Sequence, residues 1–350
     1  MIGAILGDMI GSPYEFDRGG KTKVFPLFVD RSHFTDDSVM TIAVAEALMN
    51  TLGQDDDAVK AAVVQSMRRW GARYPEAGYG GNFFWWLRRN DPKPYGSYGN
   101  GSAMRVSSAG WLFDTIEATR HAAHLTAEVT HNHPEGVKGA ESVAAAIFMA
   151  RNGASREDIR DYIVREFDYD LTRTLDEIRP GYYHVEDCMR TMPEAFTCFL
   201  EADSYEATLR NVMYIGGDTD TLGAIAGAVA EAFWGIPVLM TAEAGKYIPE
   251  DISKVLDAFD GIVHGKSFED PYKDNKRIRL SDEGVYLCLR LSDRAKIGET
   301  IKFSPYGSDE TYTAKVAGYN RSVMTESVTM TDAFADKIGI KYTPTAIYTD

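Results

Sequence analysis

Cysteine is scarce. The 350 residues hold three, Cys188, Cys198 and Cys288, odd in number, widely spaced and without a CxxC pair. That pattern excludes a disulfide framework and a thiolate metal site, and it fits a reducing compartment, the cytoplasm. Basic residues are also in deficit: 37 Lys and Arg face 52 Asp and Glu, a formal charge of −15. Affinity for DNA or RNA grows from many Lys and Arg contacts to phosphate, so a broad nucleic-acid surface is excluded and any nucleotide site has to be local. No stretch reaches the roughly 18 apolar residues of a membrane span. The apolar N-terminus is interrupted by Asp8 and follows no basic segment, so neither export nor an anchor is expected. With 44% hydrophobic residues, the chain can bury a large core in one big domain or two.

What the sequence does hold is organised around Ile215–Gly216–Gly217–Asp218–Thr219–Asp220–Thr221. The glycines let the backbone bend sharply, and Leu222, Ile225, Ala226, Val229 and Phe233 then recur at helical spacing. Gly223, Gly227 and Ala230 keep this helix thin enough for close packing, and Gly235–Ile236–Pro237 ends it. A helix start needs one side-chain oxygen as a cap. Capping explains Asp218 or Thr219 and leaves Asp220 and Thr221 over. Surplus carboxylate and hydroxyl oxygens, with no sulfur or histidine expected near, suit a hard cation such as Mg²⁺, Mn²⁺ or Ca²⁺ rather than zinc or copper.

The same logic appears near the N-terminus. Ile2, Ile5, Leu6, Met9 and Ile10 form one face of a first helix, and Gly3, Gly7 and Gly11 repeat every fourth residue on another. Asp8 lies inside it, where a carboxylate needs a partner or a cation to offset its desolvation. Ser12–Pro13–Tyr14–Glu15 leaves the helix. Phe34–Thr35–Asp36–Asp37–Ser38 then precedes a second apolar-periodic helix, again with more oxygen than a cap uses. Acids in a first turn also suit the helix dipole without any metal. Two helix starts, each with threonine and two aspartates, are better explained by one shared site able to clamp two hard cations.

Further along, 55–70 reads as an amphipathic helix, and the Gly, Phe and Trp of 79–87 read more readily as core than as a ligand platform. Tyr95 to Arg105 is glycine-rich and opens a helix expected to run through Val106 to about Thr119. Free N–H groups at such an end can cradle a phosphate, although the loop matches neither a Walker A loop nor GxGxxG, and a plain turn is the simpler reading. His131 and His133 occupy a break, where capping or hydrogen bonding is commoner than metal ligation. Helices are expected at 121–128, 136–149, 156–167, 193–200 and 204–213, and helices predominate to about Phe268. Pro271 to Arg277 reads as a polar linker. The period then changes: Val285, Leu287, Leu289 and Leu291 alternate with other residues, and Ile301/Phe303 and Tyr312/Ala314/Val316 look like short strands. The expected organisation is a helical domain over 1–270 and a small β-rich region over 278–350.

Gly7–Asp8 with Gly11 and Glu15, Thr35 to Ser38, Gly99–Asn100–Gly101–Ser102–Ala103–Met104–Arg105, Thr130–His131, and Gly217 to Thr221 together resemble the ADP-ribosylglycohydrolase family in order and rough spacing. The resemblance implies a mainly α fold, a multi-helix orthogonal bundle carrying a two-metal Mg²⁺ or Mn²⁺ site, here with a β-rich C-terminal appendage outside the family pattern. It implies hydrolysis of ADP-ribosylated proteins or small molecules. It also implies Thr35, Asp36, Asp37, Asp218, Asp220 and Thr221 as metal ligands, with Asp36 and Asp220 in the catalytic centre and Glu15 as the acid near the scissile bond. Gly99, Asn100, Gly101 and Ser102 would hold the pyrophosphate or ribose, and His131 would contact the ligand. A metal-retaining module that binds ADP-ribose without catalysis and a two-metal phosphoesterase are the rival readings. The C-terminal region is read as a surface for a protein partner or substrate protein, with structural padding as the plain alternative.

Overall fold

Helices account for most of the chain up to residue 263. The computed structural model describes residues 1–263, 267–270, 276–279, 284–288, 295–304, 310–320, 328–330 and 332–340. In order come α1 (Ile2–Gly11), a 3-10 turn at Ser12–Tyr14, α2 (Asp36–Asn50), α3 (Asp56–Arg73), α4 (Gly81–Trp86) and α5 (Gly101–Met104). Next are α6 (Ser107–Leu112), α7 (Ile116–Glu128), α8 (Pro134–Arg151), α9 (Arg156–Phe167) and α10 (Leu175–Ile178). They are followed by α11 (Cys188–Leu200), α12 (Tyr205–Ile215), α13 (Thr219–Trp234), α14 (Val238–Ala244) and α15 (Glu250–Val263). By packing, the chain divides into two units, Met1–Phe259 and Asp260–Asp350.

The first unit is built around α13, which packs on α1, α8, α11 and α12. Its seam with α1 is backbone against backbone. A Cβ placed on Gly7 would stand 1.9 Å from the Gly223 carbonyl oxygen, and one on Gly11 would stand 2.2 Å from that of Thr219. One polar bond ties the same seam, Thr219 Oγ1 donating to Gly11 O at 2.9 Å, and beside it Tyr205 Oη of α12 donates to Gly3 O at 2.8 Å. The glycine spacing noted in both helices therefore describes one joint.

Three expectations need correction. The single helix expected from the glycine-rich loop to Thr119 is instead α5, α6 and the start of α7: Phe113 turns extended, at φ −117° and ψ 149°, and the Thr115 hydroxyl caps α7 by accepting from Ala118 N. The helix expected at 193–200 is the later part of α11, which starts earlier, at an Asp187 cap, and holds Pro193 inside it. The run of helices stops at Val263, Phe268 lies in a strand, and Lys276 and Arg277 of the expected linker belong to another. Pro271 to Asn275, like Leu289 and Leu291, lie outside the described residues.

In the second unit, β1 (Ser267–Asp270) and β2 (Lys276–Arg279) pair antiparallel. The strands β3 (Val285–Cys288), β4 (Thr300–Phe303), β5 (Tyr312–Asn320) and β6 (Val328–Thr329) form a sheet of order β4-β5-β3-β6, and α16 (Asp332–Lys337) follows. In this sheet β3 and β5 run parallel, while the β4–β5 and β3–β6 pairs are antiparallel. Alternate residues Val285, Leu287, Ala314 and Val316 meet Ala295 and Phe334 in a small core of their own.

Gly7→Ala is expected to destabilise the protein by at least about 3 kcal/mol, the upper end for overpacking, because both surfaces are backbone and cannot repack. Gly261→Ala is the control: it lies in α15 with nothing within 4 Å of the added carbon, and it should be neutral or slightly stabilising. Thermal melts of the two variants check this.

Candidate active site

The site grows from the ends of α1, α2 and α13. Asp8, on α1 and fully buried, finds its partners at the start of α2: Oδ2 accepts from Thr35 N at 2.8 Å and from Ser38 N at 3.0 Å, and Oδ1 accepts from Thr35 Oγ1 at 2.8 Å. Burial, with the nearby Asp220 charge, pushes the Asp8 carboxyl up to about 7 despite these bonds. Thr35 does cap α2, accepting from Asp37 N at 3.3 Å. Asp36 and Asp37 then remain free of any capping duty.

At the second helix start, Gly216 and Gly217 take φ of 73° and 86°, a left-handed bend that turns the chain into α13. Asp218 occupies the cap position, yet its side chain makes no cap bond; Oδ2 instead accepts from Asn100 Nδ2 at 2.7 Å. The two clusters meet at Asp37, whose Oδ2 lies 3.3 Å from both the Thr35 and the Thr221 hydroxyls. Thr221 N donates to Asp220 Oδ1 at 3.0 Å.

These oxygens line a cavity of about 390 Å³. Glu15, Thr35, Asp36, Asp37, Asp218, Asp220 and Thr221 stand on its wall, and so do Gly99, Asn100, Gly101 and His131. Of the expected site residues only Ser102 is missing from the lining. It is buried behind the wall, its hydroxyl donating to Gly136 O at 2.6 Å and joining α5 to α8. His133 has the capping role expected for a histidine there, since its Nδ1 accepts from Glu135 N at 3.1 Å. Phe83 and Arg105 contribute to the cavity, while Trp86 is core and Trp85 is 64% exposed, so the aromatic stretch is not uniformly interior.

Glu15 follows the 3-10 turn and is half-buried. Burial first, then repulsion from Asp220, pushes its carboxyl up to about 7, against the pull of His184 and Arg18. The two residues after it are non-glycines at positive φ, Phe16 at 59° and Asp17 at 58°. This costly backbone is held by bonds to the glycine bend: Phe16 N donates to Gly217 O at 3.0 Å, and Gly217 N donates to Asp17 Oδ1 at 2.8 Å. Sequence reasoning missed His184. Its ring stacks on Phe16 with centroids 4.2 Å apart, and ligand atoms of Glu15, His184 and Asp218 lie within 4.8 Å of one another, a group able to hold a metal ion. His184 lies between α10 and α11, outside any helix or strand, so only the fold brings it here.

The residues fit a hard divalent cation. Carboxylate and hydroxyl oxygens dominate the donor set, with one imidazole at its edge. Asp37 Oδ1 is buried and, among the described residues, has no hydrogen-bond partner. Burial and the mutual repulsion of the group, Asp220 first, hold the Asp36, Asp37 and Asp218 carboxyls well above the usual carboxylate range. Positive charge is what these groups lack.

The ADP-ribosylglycohydrolase family model matches residues 1–262. The chain belongs to the ADP-ribosylglycohydrolase family. Relatives within this family include the ADP-ribosylhydrolase ARH3 of Bos taurus, 28% identical over 311 positions that cover 67% of this chain and 84% of that protein. The Homo sapiens protein of the same name is 25% identical, with the same two coverages. The ADP-ribosylarginine hydrolase Tri1 of Pseudomonas putida is 24% identical over 76% of this chain and 81% of its own length. A solved structure titled ADP-ribosylglycohydrolase-related protein complex shares the fold, with a TM-score of 0.58 at 20% identity, and the match covers 75% of this chain and 95% of that one.

The raised carboxyls set a pH dependence. Asp8 and Glu15 rise from 3.8 and 4.5 to about 7 in the folded chain. The cation-free fold therefore binds protons that the unfolded chain releases, a contribution complete below about pH 4 and lost as pH rises through about 7. With cations chelated, the melting temperature is expected to fall between about pH 5 and pH 8. Added Mg²⁺ or Mn²⁺ should restore more at the higher pH, because it replaces those protons. Melting curves across pH, with and without chelator, test both signs.

Proposed function

We propose that this chain hydrolyses the glycosidic bond between the ribose of ADP-ribose and a modified protein side chain, releasing free ADP-ribose, with two divalent cations, Mg²⁺ or Mn²⁺, as cofactors. The observation that carries the reading is the convergence of Glu15 and two Thr/Asp helix starts on one cavity that the Gly99–Gly101 loop and His131 also line. Thr35, Asp36, Asp37, Asp218, Asp220 and Thr221 would hold the cations. When bound, these would supply positive charge that polarises the ribose hydroxyls and orders water.

The remaining chemistry belongs to side chains. In hydrolysis the bond from ribose C1 to the leaving atom breaks, the water oxygen bonds to C1, and a water proton passes to the leaving atom. Glu15, half-buried on the cavity lining beside the aspartates, is placed to carry that proton at its Oε atoms. Asn100 keeps Asp218 in place through its amide bond. The anionic pyrophosphate is accommodated without a basic patch, by His131 beside the Gly99–Gly101 loop, where the Gly99 and Asn100 N–H groups already donate to Ser97 Oγ at 3.2 Å and to Glu186 O at 2.7 Å. The cytoplasm suits the free, buried thiols of Cys188 and Cys198. Among the described residues, no helix is long and apolar enough to cross a membrane.

Glu15→Gln should lower kcat by roughly 10²-fold or more, the scale of a general acid or base, with little change in ADP-ribose affinity. Product analysis on an ADP-ribosylated protein is the decisive assay: free ADP-ribose supports the reading, AMP with ribose 5-phosphate indicates a phosphoesterase, and no product from the parent chain indicates a binding module.

The second unit serves substrate or partner recognition in this proposal, because every site residue lies in the first. A chain truncated after Val263 should fold and still cleave a small ADP-ribosylated substrate. A folded but inactive truncation would tie the second unit to catalysis.

A further inference from the structure

Arg105 is 1% exposed, carries a charge, and takes part in none of the chemistry above. Its Nη2 donates to the Thr126 carbonyl at 3.1 Å and to Thr130 Oγ1 at 2.8 Å. Thr130 is itself fully buried, and its Oγ1 lies 2.7 Å from Nδ1 of His131. A guanidinium only donates, so the Thr130 oxygen accepts from Arg105 and its own proton needs an acceptor. Among the described residues the only acceptor bonded to that hydroxyl is His131 Nδ1.

The direction of the chain follows. If Nδ1 carried the imidazole proton, Thr130 Oγ1 would receive two donors and leave its own proton buried without a partner, which costs more than the bond gains. The imidazolium form is opposed by burial and then by the Arg105 charge, which hold the ring's pKa well below its ordinary value. The ring's other nitrogen, Nε2, faces the glycine-rich loop: a Cβ on Gly101 would stand 3.4 Å from it, and one on Gly99 3.6 Å. Nε2 has no hydrogen-bond partner among the described residues.

We infer that Arg105, acting through the Thr130 hydroxyl, fixes His131 as its neutral Nε2–H tautomer, an uncharged donor aimed across the Gly99–Gly101 loop at an oxygen of the bound ADP-ribose. Arg105 and Thr130 are positioning residues; His131 makes the contact. The arrangement gives an anionic ligand a donor that cannot also act as an acceptor toward it, and it uses the buried guanidinium without placing it on the phosphates. The ligand named here rests on the proposed function, whereas the tautomer does not.

The test separates the two. Two-bond ¹H–¹⁵N correlation on the full chain with ¹⁵N-labelled histidine, free of substrate, reads the tautomer directly. The parent and Thr130→Ser, which keeps the hydroxyl, should show Nε2–H at His131, and Thr130→Val, nearly isosteric but without it, should show a mixture. Thr130→Val should also weaken ADP-ribose binding by roughly 3- to 10-fold, the scale of one hydrogen bond, with Thr130→Ser close to the parent. A packing role predicts the reverse order, since Ser loses a buried methyl and Val keeps it. An Nδ1–H signal in the parent, an unchanged tautomer in Thr130→Val, or weaker binding by Ser than by Val overturns the inference. Nε2–H in a protein that binds no ADP-ribose would leave the relay standing and refute the ligand reading instead.

Discussion

The contact of α1 with α13 is the constraint from which the site's geometry descends. Ordinary helix pairs are separated by interdigitated side chains, and small changes in those side chains let the helices slide. Here the Gly7 and Gly11 backbones rest on the carbonyls of Gly223 and Thr219, and no side chain intervenes to be repacked. The joint is therefore nearly rigid, and the Thr219 hydroxyl bonded to Gly11 locks its register. The acidic residues of the candidate site are attached near one end of it. Asp8 sits on α1 beside the seam and grips the start of α2, Glu15 follows where α1 gives way to the 3-10 turn, and Asp218 and Asp220 open α13.

Rigidity at this joint allows an arrangement that is electrostatically unfavourable by itself. Carboxylates taken out of water and set beside one another raise each other's proton affinity, and in this fold burial is the larger cause, with Asp220 the main neighbour for the rest. A flexible scaffold would relax by turning the side chains out to solvent. The fixed helix starts, the Asn100 bond to Asp218 and the threonines about Asp37 prevent that. Such preorganised negative charge is what a hard-cation site requires, and a chain of formal charge −15 can then receive an anionic nucleotide at one local point.

The glycine-rich loop and His131 line the same cavity, and Asn100 of that loop bonds Asp218 itself. Glycines keep side chains away from His131, and the Arg105 to Thr130 connection holds that ring from behind. The cavity thus combines dense carboxylate oxygen with an uncharged imidazole and an amide donor.

Local features were legible in the sequence wherever the physics is local. Glycine every fourth residue, an apolar stripe, an oxygen-rich helix start and a change of period from helix to strand each depend on neighbours a few positions away, so α1, α2 and α13 could be read directly, as could a change to strands late in the chain, although strands begin earlier than the periodicity indicated. The sequence by itself also determined that two Thr/Asp clusters exceed what capping uses. Only the tertiary structure decided which oxygens are spare: Thr35 caps and Asp218 does not, because Asn100, distant in sequence, claims the Asp218 side chain. It likewise turned Ser102 away from the cavity, broke the expected helix after the glycine-rich loop, and brought His184 beside Glu15 and Arg105 behind His131. The physical reason is that a side chain's partners are set by packing across the chain, and no spacing along the sequence records them.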